Sequence, residues 1–218
     1  MYMEHKMDIL LVDDHSLILA GIKSIVERIP EIAKVYTAMS GKEADELIST
    51  QNFDIYMLDI ELPDTSGFDL IKQIREKEKD ARIIINTMHE QVWIINKLIK
   101  YQVDSIILKS SESIVVEQAI KAVINDRSYC CPRFEHISRQ LRNGKNAELL
   151  VDNPTKRELA VLKAISKGNS TTQIAQMLGI SINTVETYRK QLFLKFGVKN
   201  VVELTMKALT QGWITIDM

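Results

Sequence analysis

Cysteine is nearly absent: Cys130 and Cys131 are the only two, side by side, with no third to pair with. That spacing excludes a disulfide framework and a cysteine-based metal site, and leaves free thiols near a domain edge. No apolar run approaches the roughly 20 residues that cross a bilayer. Residues 1–7 carry charges and no apolar stretch of the signal-peptide kind. These absences lead to the expectation of a soluble, cytoplasmic protein with no membrane partner. Internal repeats and low-complexity tracts are also missing.

Net charge is small too, −1 overall, but it is unevenly spread. Residues 1–130 hold 15 Lys/Arg against 22 Asp/Glu, a net of −7, while residues 131–147 and 148–218 each carry +3. An acidic first half suits a site for a cation, and a basic second half suits an anionic partner. The length fits two small domains.

The first 125 residues alternate apolar runs with helix-period segments. The runs are Asp8–Val12, Ala33–Thr37, Asp54–Leu58, Arg82–Asn86 and Asp104–Leu108. They are too continuously apolar for half-exposed strands and suit strands covered on both faces. Between them Ile18, Ile22, Ile25 and Ile29 step at helical spacing, as do Phe68, Ile71 and Ile74. The pattern predicts an α/β domain over 1–126, a doubly wound five-stranded parallel sheet. A linker follows over 127–153, with one short helix around Phe134–Leu141. Residues 154–218 read as a small all-α domain of four helices, near 155–167, 171–178, 182–196 and 200–211. Thr155 with Glu158, and Ser170 with Gln173, are capping boxes, and Gly168 and Gly179 sit where helices should stop.

Chemistry gathers at the strand ends. Asp13 and Asp14 follow the first strand and Asp59 the third; Thr87 ends the fourth and Lys109 follows the fifth. A doubly wound sheet opens its ligand crevice beyond these carboxyl ends. Taken singly, such an Asp is usually a turn or cap residue and such a Lys a solvated one. Together, three carboxylates repel one another unless a hard cation such as Mg²⁺ neutralises them. A lysine charge and a hydroxyl beside them could stabilise a transferring phosphoryl group.

The segments LLVDDHSLILAGI, FDIYMLDIELPDTSGFDLIKQIR, IIINTMHE and IILKS resemble the receiver domain of two-component response regulators, over about 120 residues. That resemblance implies a flavodoxin-like fold and Asp59 as phospho-acceptor, supplied by a sensor histidine kinase. It implies Asp13, Asp14, Asp59 and the backbone carbonyl of Glu61 as holders of Mg²⁺, with Thr87 as switch hydroxyl and Lys109 as phosphoryl partner. The sequence departs from the family where many receivers carry a switch Tyr or Phe and it has Ile106. Met88 stands where Ala or Ser is common, and Ser110 where Pro is common.

Residues 155–213 resemble the LuxR/NarL-type helix-turn-helix, through T-x-x-E-x-x-V-L, I-A-x-x-L-x-I-S, T-V-E-T-Y and K-F-G-V. Val185, Tyr188, Leu192 and Phe196 form a stripe at helical spacing, and Asn183, Glu186, Thr187 and Lys190 occupy the opposite face. A helix with polar first turns is what major-groove reading requires; a solvated helix face is the plainer alternative. The resemblance marks Asn183, Thr184, Glu186, Thr187, Lys190 and Lys195 as contacts to double-stranded DNA. It offers Val202, Met206 and Leu209 for pairing of two copies, with core packing as the alternative. Glu186 stands where the family often has Lys. The resulting expectation is a phosphorylation-controlled transcriptional regulator, not an enzyme. A phosphohydrolase on the same sheet would want its nucleophile in an Asp-x-Asp pair after the first strand, and here the candidate follows the third.

Overall fold

Apolar β-rich runs become parallel strands because both of their faces can be covered. Chain order begins β1 (Met7–Val12), α1 (Ser16–Val26), β2 (Ile32–Ala38), α2 (Gly41–Thr50) and β3 (Ile55–Leu58). It continues with α3 (Gly67–Lys77), β4 (Arg82–Thr87), α4 (Val92–Lys100), β5 (Ser105–Leu108) and α5 (Ser113–Ile124). The structure is a computed structural model, and it describes residues 6–90, 92–132, 134, 135, 139 and 153–214. Its contacts divide the chain into two units, Met1–Ala147 and Glu148–Met218, and each is described by itself.

The strands run parallel in the order β2-β1-β3-β4-β5-β6. All four residues of the central β3 are buried, as continuous apolarity requires. On one face Leu11, Met57, Ile84 and Ile107 pack with Leu19, Ile22 and Val26 of α1 and with Val116, Ala119, Ile120 and Val123 of α5. Ile29, read as a further helical step, lies beyond the end of α1 yet is buried in the same core.

The sixth strand, β6 (Tyr129–Cys130), corrects the expected five. It pairs with β5, Ser105 opposite Tyr129 and Ile106 opposite Cys130. Without it β5 would be an open edge, which folded sheets tend to cover. The chain reverses after α5 through Asp126, whose φ is +54°, and the sheet thereby extends into the segment read as linker. A two-residue strand is too short to leave a periodic signature. Of the short helix expected at Phe134–Leu141, Phe134, Glu135 and Arg139 are helical; the rest lies outside the described residues.

The second unit contains the four expected helices: α6 (Lys156–Ser166), α7 (Thr171–Leu178), α8 (Ile182–Phe196) and α9 (Val201–Thr210). Both capping boxes form: Thr155 with Glu158 opens α6, and Ser170 with Gln173 opens α7. Gly179 ends α7 at φ +63°, a conformation that costs glycine little. The core joins Val161, Leu162 and Ile165 to Ile174, Val185, Leu192, Phe196 and Leu204. Among the described residues no helix is long and apolar enough to cross a membrane.

Candidate functional site

Strand register brings the five predicted groups of the first unit to one end of the sheet. Asp13 is held there by its N–H donating to the Ala38 carbonyl (3.1 Å), and Asp59 by its N–H donating to Val12 (2.9 Å). Lys109 donates its backbone N–H to the carbonyl of Thr87 (3.0 Å). The Lys109 side chain, only 1% exposed, bridges two carboxylates, with Nζ 2.7 Å from Asp59 Oδ2 and 2.8 Å from Asp13. Ile60 N–H donates to Asp59 Oδ1 at 2.7 Å. Gly67, at the start of α3, packs so closely beneath Asp59 that a Cβ there would overlap the Asp59 carbonyl oxygen. No other residue type allows that approach.

Burial pushes the Asp59 carboxyl above its ordinary range, more than the Lys109 hydrogen bond and charge pull it down; nearby Asp13 adds to the rise. Burial alone would depress the Lys109 ammonium, but hydrogen bonds to Asp13 and Asp59 outweigh it and hold the group above the usual lysine range. Thr87 is fully buried, and its Oγ1 accepts the His89 N–H at 3.1 Å, which leaves its own hydroxyl hydrogen to donate elsewhere. Met88, the departure beside it, is 65% exposed, and Ile106 is buried in β5.

Two neighbours were not among the sequence candidates. His15 Nδ1 lies 2.7 Å from Asp14 Oδ1 and 3.2 Å from Asp13 Oδ1. His89 Nε2 lies 2.9 Å from Glu61 Oε2, joining the loops after β4 and β3. Position directly after an Asp pair could have marked His15; nothing local marks the Glu61–His89 pair, which spans 28 residues. Ligand atoms of Asp13, Asp14, His15 and Asp59 all fall within 4.8 Å of one another. Asp13 Oδ2 and Asp14 Oδ1 are buried without a hydrogen bond, although Lys109 Nζ and His15 Nδ1 stand within ion-pair reach of them. Three carboxylates converging within 4.8 Å of one another fit an oxygen-seeking divalent cation.

In the second unit, α7, the Gly179 turn and α8 form the helix-turn-helix. Val185, Leu192 and Phe196 are buried and Tyr188 packs beside them, so the predicted stripe is the core-facing one. Asn183, Glu186, Thr187 and Lys190 are exposed together on the other face. Thr184 is half-buried, with its Oγ1 2.7 Å from the hydroxyl of the cap residue Ser181. Glu186 is not idle on that face: the Thr171 hydroxyl, from the first turn of α7, donates to its Oε1 at 2.7 Å.

Lys195, expected at the DNA, is instead structural. It is 6% exposed, and Nζ donates to Glu158 Oε2 and to the Asn153 carbonyl, each at 2.9 Å. Glu158 is also the carboxylate of the α6 capping box, accepting from Thr155 N–H at 2.7 Å. The same ion pair thus ties the start of α6 to the end of α8. On α9, Val202 and Met206 are 73% and 59% exposed, whereas Leu209 packs against the helical core.

Residues 9–121 match the response regulator receiver domain, and residues 153–208 match the bacterial regulatory proteins of the LuxR family. The chain belongs to the LuxR-family response regulators. It is 29% identical to the response regulator UvrY of Escherichia coli, over 94% of each chain. It is 31% identical to the nitrate/nitrite response regulator protein homolog of Haemophilus influenzae, over 96% of this chain and all of that one. In fold it resembles RcsB from Salmonella enterica serovar Typhimurium, solved bound to a promoter with the phosphomimetic BeF3−. There the TM-score is 0.61 at 22% identity, over 92% of this chain and 96% of that one.

Proposed function

We propose that Asp59 accepts a phosphoryl group from a sensor histidine kinase, and that its state controls DNA binding or pairing of this cytoplasmic regulator. The observation that carries the reading is the Lys109 bridge, a buried ammonium 2.7 Å from Asp59 and 2.8 Å from Asp13. An Asp59 oxygen bonds to phosphorus as the donor's P–N bond breaks. The electron pair stays with the donor imidazole, which takes up a proton. Lys109 then lies beside the new negative oxygens, and the Thr87 hydroxyl has a hydrogen free to reach them. Mg²⁺ suits the donor set of Asp13, Asp14, Asp59 and the Glu61 carbonyl, and when bound it offsets carboxylate repulsion and phosphoryl charge. The acyl phosphate biases a two-state receiver. The role is regulatory, without turnover of a substrate.

On double-stranded DNA, Asn183, Thr187 and Lys190 of α8 present the polar face to the major groove, with Glu186 held against α7 and Thr184 at the cap. Val202 and Met206, exposed on α9, are the surface for pairing of two copies. The test is incubation with acetyl phosphate and Mg²⁺ followed by intact mass. A single phosphoryl adduct in the wild type and none in Asp59→Asn supports the assignment. An undiminished adduct in the mutant moves the acceptor elsewhere.

A further inference from the structure

β4 reads Arg-Ile-Ile-Ile-Asn-Thr, and Asn86 interrupts an apolar run inside the sheet. It is 3% exposed, and its Oδ1 is a buried acceptor with no hydrogen-bond partner. Buried amides are ordinarily satisfied, so an unused acceptor here calls for a reason. Register supplies its neighbourhood. Leu58 lies opposite Ile85, and the same register one residue on sets Asn86 opposite Asp59. On its other side Asn86 lies opposite Ile107, two residues before Lys109.

Alternation supplies the face. Leu11, Met57, Ile84 and Ile107 share one core. Residues two further along each strand are Asp13, Asp59, Asn86 and Lys109, and alternation sends them to that same side. Lys109, one step further out than Ile107, reaches from β5 to Asp59 beyond β3 (Ile55–Leu58), so its side chain crosses β4 between the level of Met88 and that of Asn86. Its ammonium has three N–H donors. Asp59 and Asp13 take two at 2.7 and 2.8 Å, and the remaining contact, to His15 Nδ1, is long at 3.4 Å.

We infer that Asn86 is a positioning residue for Lys109, its Oδ1 accepting the ammonium N–H released when Asp59 is phosphorylated. This rests on the reading of Asp59 as phospho-acceptor. Phosphorylation removes the carboxylate charge from Asp59, so the acceptor at 2.7 Å weakens while the phosphoryl oxygens lie further out. A neutral acceptor on β4 steadies the ammonium there without cancelling its charge.

The test compares Asn86→Val with Asn86→Thr in the full chain, two side chains of one shape that differ in an acceptor oxygen. Two quantities are read. One is the solvent-exchange rate of the Lys109 ammonium protons, by proton–nitrogen NMR with BeF3− and Mg²⁺. The other is the rate of adduct formation from acetyl phosphate. Loss of a hydrogen bond to a charged group predicts exchange about tenfold faster and phosphorylation about tenfold slower in Asn86→Val. Asn86→Thr should recover most of both. Equal behaviour of Val and Thr variants overturns the inference, whether both match wild type or both fail, since a packing defect is common to the two. Asp59→Asn is run beside them. If it loses the adduct while Asn86→Val keeps wild-type rates, the Asn86 role alone falls; if it keeps the adduct, the acceptor reading falls.

Discussion

Replacing Lys195 with alanine should unfold much of the helical domain rather than merely weaken DNA binding. The change leaves the Glu158 carboxylate, 4% exposed, without the ammonium 2.9 Å away. Removing one partner of a buried ion pair costs about 3–5 kcal/mol, because the remaining charge stays desolvated. A domain of this size has a total stability of about 3–9 kcal/mol at the usual value per residue. The loss is therefore a third of that at least, and can be all of it. For a small domain each kcal/mol moves the melting temperature by about 4–8 °C, so a fall of roughly 12 °C or more is expected. Circular dichroism or calorimetry on the full chain reads it as an early helical transition. The double change Glu158→Gln with Lys195→Met sharpens the test. It removes both charges, while the Gln carbonyl can still accept from Thr155 N–H, so stability should return to within about 1–2 kcal/mol of wild type. A Lys195→Ala protein that melts within a degree or two of wild type but binds DNA weakly would refute the structural role.

Four other outcomes follow from the geometry. Asp14→Ala should raise the Mg²⁺ concentration needed for phosphorylation from acetyl phosphate, roughly tenfold or more, since few protein ligands would hold the ion; an unchanged metal titration contradicts this. Glu186→Ala should tighten binding severalfold to all sequences with base preference unchanged, because its carboxylate is engaged by Thr171; binding-site selection that loses preference at one position would restore a base-reading role. Lys190→Ala should weaken binding evenly and flatten the log-salt slope by about one, if it meets a phosphate. Asp64 accepts the free N–H groups of Gly41 and Lys42 at 2.7 and 2.8 Å. Burial alone would raise its carboxyl, but these backbone bonds, with those of Asp64 and Thr65, hold it below the ordinary range. Asp64→Ala should thus lower the melting temperature at neutral pH, by less than loss of a buried ion pair because the carboxylate is exposed to solvent. A depressed folded pKa gives stability present above the unfolded value and lost as pH falls through the folded one, so the gap in melting temperature should close below about pH 4.

The sheet and its acidic end were readable because strand order and residue position carry the same message. Asp13, Asp59 and Lys109 each stand directly beyond an apolar run, and a parallel sheet aligns such ends. What escaped reading needed partners far off in sequence. Lys195 lies near the end of α8 and reads as a DNA contact until Glu158, 37 residues earlier, meets it inside the core. Asn86 looks like a polar strand end until β3 and β4 are known to be neighbours in a register that sets it beside Asp59. β6 is two residues long, below the length at which alternation can be seen. His15 follows the Asp pair in plain view, but its 60% exposed ring joins the cluster only through the bend after β1.

Control of DNA binding by phosphorylation of Asp59 is open to direct test. Its most direct measurement is the affinity of wild type and Asp59→Asn for a DNA site selected by the protein itself, each with and without BeF3− and Mg²⁺. A change of about tenfold or more in the wild type, within the usual range of coupling between sites, and none in Asp59→Asn is the expected result. No change in the wild type, or an equal change in the mutant, would contradict it.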